Sequence, residues 1–321
     1  MRHAGIEVPI ICGAMYPCSN PELVAAASAA GAIGIVQPVS LTYVHSHEYR
    51  AGLRYIRTLT DRPVGLNALI ESRSRYYHER MIRFVDVGLE EGIRFIVTSL
   101  GNPRWVVDAA RAVGGFVYHD VTERKWALKA RDGGVNGFIA VNSRAGGHAG
   151  ERTAEALLDE VGDLGLPVVA AGGISTPAQF VDMLRLGYAG VQMGTRFIAT
   201  TECTASDAYN RAIVDADERD IVLTERLTGV PLAVINTPHV QRLGTRIGPM
   251  ARWMFRGRRT KKWIRAFYAL RSARGLKHSL NAANADDEYW QAGRSVAGIE
   301  SVAPVAEVIG TFRAAWGAMP A

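Results

Sequence analysis

The residues best suited to chemistry in this sequence stand at glycine-rich breaks between apolar runs. One break reads Ser143-Arg144-Ala145-Gly146-Gly147-His148-Ala149-Gly150. A histidine set among glycines has no apolar helix face to bury it, and the backbone beside it is free to approach a flat ligand. Its imidazole titrates near neutrality, so His148 can take a proton from carbon or hold a nearby anion. Two more breaks, Ala171-Gly172-Gly173-Ile174 and Met193-Gly194-Thr195-Arg196, close the next two runs. Backbone N–H groups come nearest to phosphate oxygens where no Cβ intrudes, and Thr195 adds a hydroxyl donor. Either break alone reads equally well as a tight turn. The two together point to a phosphorylated cofactor or substrate.

Other ends carry further candidates. Asn67 closes Val64-Gly65-Leu66-Asn67, where an amide offers donors and an acceptor to a planar ring but also reads as a turn residue. Gly13-Ala14-Met15 places small residues at another end, with a thioether that packs on a ring or simply fills core. His119 stands beside Asp120, a pairing that can orient an imidazole, although neighbours on a strand point to opposite sides. So many small residues leave room for something broad and flat. Rival chemistries lack their parts: there is no HExxH, no P-loop and no GxSxG. The eight histidines do not cluster at ligand spacing, so no metal site is expected.

The elements that must position these residues alternate between strand and helix. Apolar, largely β-branched runs occur at 8–12, 33–36, 64–69, 95–98, 116–118, 137–141, 167–171 and 190–193, with helix-like stretches at 21–30, 75–91, 124–132, 154–161 and 177–186. The runs are apolar almost throughout, as strands covered on both faces need to be. Eight such units predict an α/β fold, a (β/α)8 TIM barrel whose strand ends carry the site. An open doubly wound sheet is the rival, but no GxGxxG follows the first run. After Thr201 the alternation fails. The expected organisation is a barrel over 1–200, a smaller, mainly helical lid or insertion over 201–285, and helices returning to the barrel over 286–321. Within the insertion, 207–217 reads as helix and 221–240 as irregular.

Composition bounds the function classes. With 321 residues, 48% hydrophobic and 21% charged, the chain is an ordinary folded protein and not a disordered one. Its three cysteines, Cys12, Cys18 and Cys203, form no CxxC pair, which excludes a disulfide scaffold and suits a reducing compartment. No run reaches the roughly 20 apolar residues of a membrane span, Pro9 interrupts the first apolar run, and no export signal is legible. A cytoplasmic protein is expected. The net charge of +6 is local: ten Lys or Arg and no acid lie between Arg252 and Lys277, so the remainder carries −4. That segment reads as a solvated helix face or as a docking site for an acidic carrier protein. A nucleic-acid role is not expected from so confined a patch.

These motifs resemble the nitronate monooxygenase family, formerly the 2-nitropropane dioxygenases, together with the related FMN-dependent type II enoyl-acyl-carrier-protein reductases. The resemblance rests on Pro9-Ile10-Ile11 with Gly13-Ala14-Met15, Gly65-Leu66-Asn67, Gly101-Asn102-Pro103, Ala145-Gly146-Gly147-His148, Ala171-Gly172-Gly173-Ile174 and Met193-Gly194-Thr195-Arg196-Phe197. It implies a TIM barrel with a lid and non-covalent FMN, and a homodimer. By resemblance, Gly13, Ala14, Met15, Asn67 and His119 lie at the flavin, and Gly146, Gly147, Gly172, Gly173, Gly194 and Thr195 hold its phosphate end. His148 takes the place of the family's substrate-facing histidine. There are departures. Ser143 stands where relatives often have Glu, and Arg294 ends a run that is Ala-Gly-Gln in many of them. Asp120 stands where some relatives carry a lysine near the flavin, so His119 or Arg144 is expected to supply any positive charge there.

The resemblance implies an FMN-dependent oxidoreductase that oxidises alkyl nitronates, or nitroalkanes, with O₂. In the alternative reading NAD(P)H reduces the flavin, which then reduces an enoyl thioester on acyl carrier protein or CoA, or a quinone. A non-flavin barrel of the IMP-dehydrogenase type would need a loop cysteine after the sixth strand, and none lies between Asn142 and Gly150.

Overall fold

The computed structural model describes every residue except 1, 72–74, 249–250, 252, 255–256, 258–259, 283–287 and 320–321. Eight parallel strands close into a barrel: β1 (Ile10–Cys12), β2 (Ile33–Val36), β3 (Gly65–Ile70), β4 (Phe95–Leu100), β5 (Phe116–Val121), β6 (Gly137–Val141), β7 (Val168–Ala171) and β8 (Gly190–Met193). β1 pairs with both β2 and β8, which completes the ring. Alternation along each strand splits the apolar residues between two cores. Ile11, Ile33, Ile35, Phe95, Val97, Tyr118, Ile139, Val169 and Ala171 fill the inside, while Cys12, Leu66, Ile96, Val117 and Val191 face the helices. The first turn of the chain, Arg2–Ala4, plugs the N-terminal end. There the His3 ring stacks on Phe116 at 4.5 Å and its Nδ1 lies 3.2 Å from the Tyr118 hydroxyl. With that end filled, a ligand can enter only where the strands finish.

The outer layer comprises α1 (Pro21–Ala29), α2 (Tyr49–Leu59), α3 (Arg75–Glu90), α4 (Arg104–Arg111), α5 (Arg124–Asp132), α6 (Ala154–Val161) and α7 (Pro177–Leu186). Local chemistry sets their limits. In α7, Thr176 and Gln179 form a capping box, and Gly187 ends the helix in the left-handed region at φ 110°. α1 crosses β2 so closely that a Cβ on Gly34 would overlap the Val24 carbonyl. Gly34→Ala is therefore expected to cost about 1–3 kcal/mol of stability by overpacking, seen as a lower midpoint in urea. An unchanged midpoint would mean that α1 is free to slide outward.

After β8 come the short α8 (Thr195–Ile198), then α9 (Asp207–Asp215), an antiparallel pair β9 (Ile221–Thr224) and β10 (Leu232–Ile235), α10 (Pro238–Leu243) and α11 (Thr260–Ser279). The span expected to be irregular, 221–240, thus contains a hairpin: two β-branched runs pair across a turn holding Gly229 and Pro231. Of the basic segment, residues 252, 255–256 and 258–259 lie outside the described residues. The last helix, α12 (Val305–Gly317), fills the eighth place of the outer ring. Its Phe312 ring meets Phe180 of α7 at 5.6 Å, and Arg313 donates to the Ala30 carbonyl at the end of α1 at 2.6 Å. Thr200 and Ala303 form a bridge, so the chain between them leaves and rejoins the barrel at one point. Among the described residues, no helix is long and apolar enough to cross a membrane.

Candidate active site

The C-terminal ends of the strands form the open rim. Register decides which polar side chains look into it. Asn67 lies opposite Val97, Asp120 opposite Ile139, and Gln192 opposite both Ile11 and Ala171. Those partners belong to the inner core, so all three polar residues face inward at the top of the barrel. Gly13 makes room for Gln192, since a Cβ there would sit 3.0 Å from its Cγ. Gln192 Oε1 and Asp120 Oδ1 are buried and have no hydrogen-bond partner. Buried polar atoms without partners are costly, and these two leave acceptor positions unfilled at the barrel mouth.

Four glycine segments meet on one side of this rim, between the ends of β6, β7 and β8. A Cβ on Gly172, whose φ is 114°, would lie 2.5 Å from Asn142 Oδ1 and 2.6 Å from the Ala145 amide. A Cβ on Gly173 would strike the Arg144 side chain. The fourth segment arrives from the end of the chain: a Cβ on Gly293 would lie 2.5 Å from the Gly146 amide. The Gly293 amide donates to Thr195 Oγ1 at 3.0 Å, which leaves the Thr195 hydroxyl proton for another acceptor. Met15 lies across Gly194, with its sulfur 3.3 Å from where a Cβ would be. Half-buried Ala14 packs on the inner core. Asn142 holds the arrangement together. Fully buried, it accepts from the Arg144 amide at 2.8 Å and donates to the Gly172 carbonyl at 2.9 Å. A backbone cradle with a hydroxyl donor suits a phosphate.

His148 stands at the open end of the β6 loop and is exposed to solvent. Desolvation by the surrounding walls still holds its pKa below the ordinary imidazole value, so it is neutral at neutral pH and able to accept a proton. The loop carrying it is clamped from above. The Ala233 amide of β10 donates to the Gly147 carbonyl at 2.8 Å, and Arg144 pairs with Glu218 just before β9. The hairpin therefore touches the candidate site directly.

Most of the expected residues come together here: Gly13, Ala14, Met15, Asn67, Gly146, Gly147, His148, Gly172, Gly173, Gly194 and Thr195 all lie at the C-terminal rim. His119 does not join them. It shares the side of Val117 and Val121, facing the helices, where its Nδ1 lies 2.8 Å from the Thr98 hydroxyl. Burial pulls its pKa down to about 4. The expectation that His119 supplies a positive charge at the mouth is corrected accordingly, because it is neutral and outward; Arg144 lies beside Gly173, paired with Glu218. Gln192 and Asn142 were not expected. The signal for Gln192 is a lone amide inside the apolar run Gly190–Met193, at the inward phase of the alternation. Among the described residues, no group of three or more His, Cys, Asp or Glu is placed to hold a metal ion.

Comparison with known proteins matches the family described as nitronate monooxygenase over residues 1–313. The chain is 28% identical over 288 residues to a 5-hydroxy-7a-methyl-1-oxo-octahydro-1H-indene-4-carboxyl-CoA dehydrogenase of Rhodococcus jostii, covering 89% of this chain and 78% of that one. It is 28% identical over 280 residues to a probable nitronate monooxygenase of Staphylococcus saprophyticus, covering 74% and 78%. Among solved structures, FabK from Thermotoga maritima superposes with a TM-score of 0.80 at 26% identity, over 98% of this chain and 94% of that one. A nitroalkane oxidase from Streptomyces ansochromogenes, at 21% identity and a TM-score of 0.75, shares the fold over 97% and 96%.

Proposed function

The chain belongs to the nitronate monooxygenase family of oxidoreductases, and from that premise we propose an FMN-dependent enzyme acting at an acidic carbon. The observation that carries this reading is the meeting of four glycine segments beside inward-facing Asn67 and Gln192. Gly13, Ala14 and Met15 would line a flat ring, and Asn67 and Gln192 would serve its polar edge. Gly146, Gly147, Gly172, Gly173, Gly194 and Thr195 would hold the phosphate. FMN, when bound, supplies the electron-accepting ring. The protein supplies the proton chemistry: neutral His148 removes the α-proton of a nitroalkane, or as its cation holds the nitronate anion in place. Residues 201–285, with the hairpin seated on the Gly147 loop, would act as the lid that excludes water.

The first reading of the substrate is an alkyl nitronate or nitroalkane oxidised with O₂. A second reading is a thioester of CoA or of an acyl carrier protein, with NAD(P)H as the electron source. One specific observation favours it: α11 lies in the basic segment, and its Lys277, with Arg274 and His278, lines a cleft of about 320 Å³ beside Tyr43 of the β2–α2 loop, at the same rim. Cations at a mouth attract phosphate-bearing substrates. The likeness to the indene-carboxyl-CoA dehydrogenase, which is named for a CoA-bearing substrate, points the same way.

Purified protein is expected to bind FMN and show a flavin spectrum. Anaerobic mixing with a nitronate should then bleach it under the first reading, and mixing with NADH, NADPH or an acyl-CoA under the second. A protein that takes up no FMN overturns both.

A further inference from the structure

The carboxyl of Asp120 has no function in the mechanism above, yet it occupies the inward position at the end of β5, level with Ile139. One of its oxygens is sealed from solvent without a partner. Resting on the flavin reading, we propose that Asp120 is the proton-holding residue of the site: its neutral carboxyl donates a hydrogen bond to the bound flavin ring.

Nothing around Asp120 favours its charged form. Burial is the sole cause of a shift that pushes its pKa up to about 7. Across the sheet, the inward neighbours are Ser99 of β4 and Ile139 and Val141 of β6, none of which titrates. His119 turns to the other face, and α4 and α5 pack on that outer side. Of the other charged or titratable groups at this rim, His148 is neutral, Arg144 is bound to Glu218 with Arg294 close to it, and Lys277, Arg274 and His278 line the cleft beside Tyr43, yet burial alone shifts Asp120. A carboxylate facing a polar ring edge offers acceptors only, whereas the acid offers a donor. Flavin binding therefore selects the protonated form, and the deprotonated fraction takes one proton from the buffer as it binds. Together, Asp120 and His148 give the mouth one acid held protonated and one base held neutral, shifted in opposite directions by burial.

The test titrates flavin-free protein with riboflavin, which lacks the ionising phosphate, from about pH 6 to about pH 9. In the wild type, Kd should weaken towards tenfold per pH unit above about pH 7. Asp120→Asn cannot ionise and keeps an N–H donor, so its Kd should stay level over the same range. Calorimetry in two buffers of different ionisation enthalpy should show proton uptake for the wild type and none for Asp120→Asn. Parallel pH profiles in the two proteins overturn the role of Asp120 and leave the flavin reading intact. No binding of riboflavin or FMN by either protein at any pH overturns the flavin reading itself. Should Asp120→Asn fail to fold, infrared difference spectra of the wild type decide. A carboxylic-acid C=O band gained or shifted on flavin binding supports the role, and its absence removes it.

Discussion

His148→Ala is expected to keep the flavin and lose most of the turnover, with kcat falling about 10²- to 10⁴-fold, the usual contribution of a positioned acid or base. The side chain makes no hydrogen bond to the described residues and reaches solvent, so its removal leaves no buried polar group unsatisfied. The loop that carries it is fixed by backbone contacts, through the Gly147 carbonyl and through Asn142, which the substitution does not touch. Flavin affinity and thermal stability should therefore change little. The sign of the pH dependence follows from the lowered pKa: the imidazole stays neutral on acidification past the ordinary value of about 6.5. With a nitroalkane that needs deprotonation, the acid limb of kcat/KM should lie below that value and disappear in the variant. Unchanged kcat in His148→Ala would remove the residue from the reaction.

Gly172→Ala attacks the other half of the site and should weaken FMN binding by about 10- to 100-fold, which corresponds to about 1.4–2.8 kcal/mol. Two effects combine. Its φ of 114° lies where side chains are strained, at about 1–3 kcal/mol. The new methyl would also meet Asn142 Oδ1 and the Ala145 amide at 2.5 and 2.6 Å. Those are the groups that set the β6 loop, so relief of the clash displaces the phosphate cradle. Fluorescence titration with FMN reads the effect directly. Riboflavin should be affected less, because it makes no demand on the cradle. Equal loss for both ligands would place the damage in the ring pocket or in the fold at large.

The barrel was legible because its strands are apolar on both faces, and β2, β6 and β8 fall where the apolar runs do. β4 and β5 run on to Leu100 and Val121, past the expected ends at 98 and 118. What hid those extensions was polarity: Ser99, His119 and Asp120 break the apolar run while continuing the strand, as residues at a working rim do. His119 was singled out for its type, but the alternation it sits in turns it away from the mouth. Asp120 reads from the sequence as a neighbour able to orient His119 and as a departure from relatives; its inward register and partnerless oxygen need coordinates. The glycine breaks were readable one by one. That Gly293 closes against Gly146 was not, because 147 residues separate them in sequence.

The bridge between Thr200 and Ala303 also bears on how the mouth can vary. The described residues of the span between them form an excursion from two neighbouring anchor points, and it rests on the β6 loop through Glu218, Ala233 and Gly293. Changes of length or charge elsewhere in that excursion leave the ring beneath it in place, whereas changes at those three contacts reach the cradle itself.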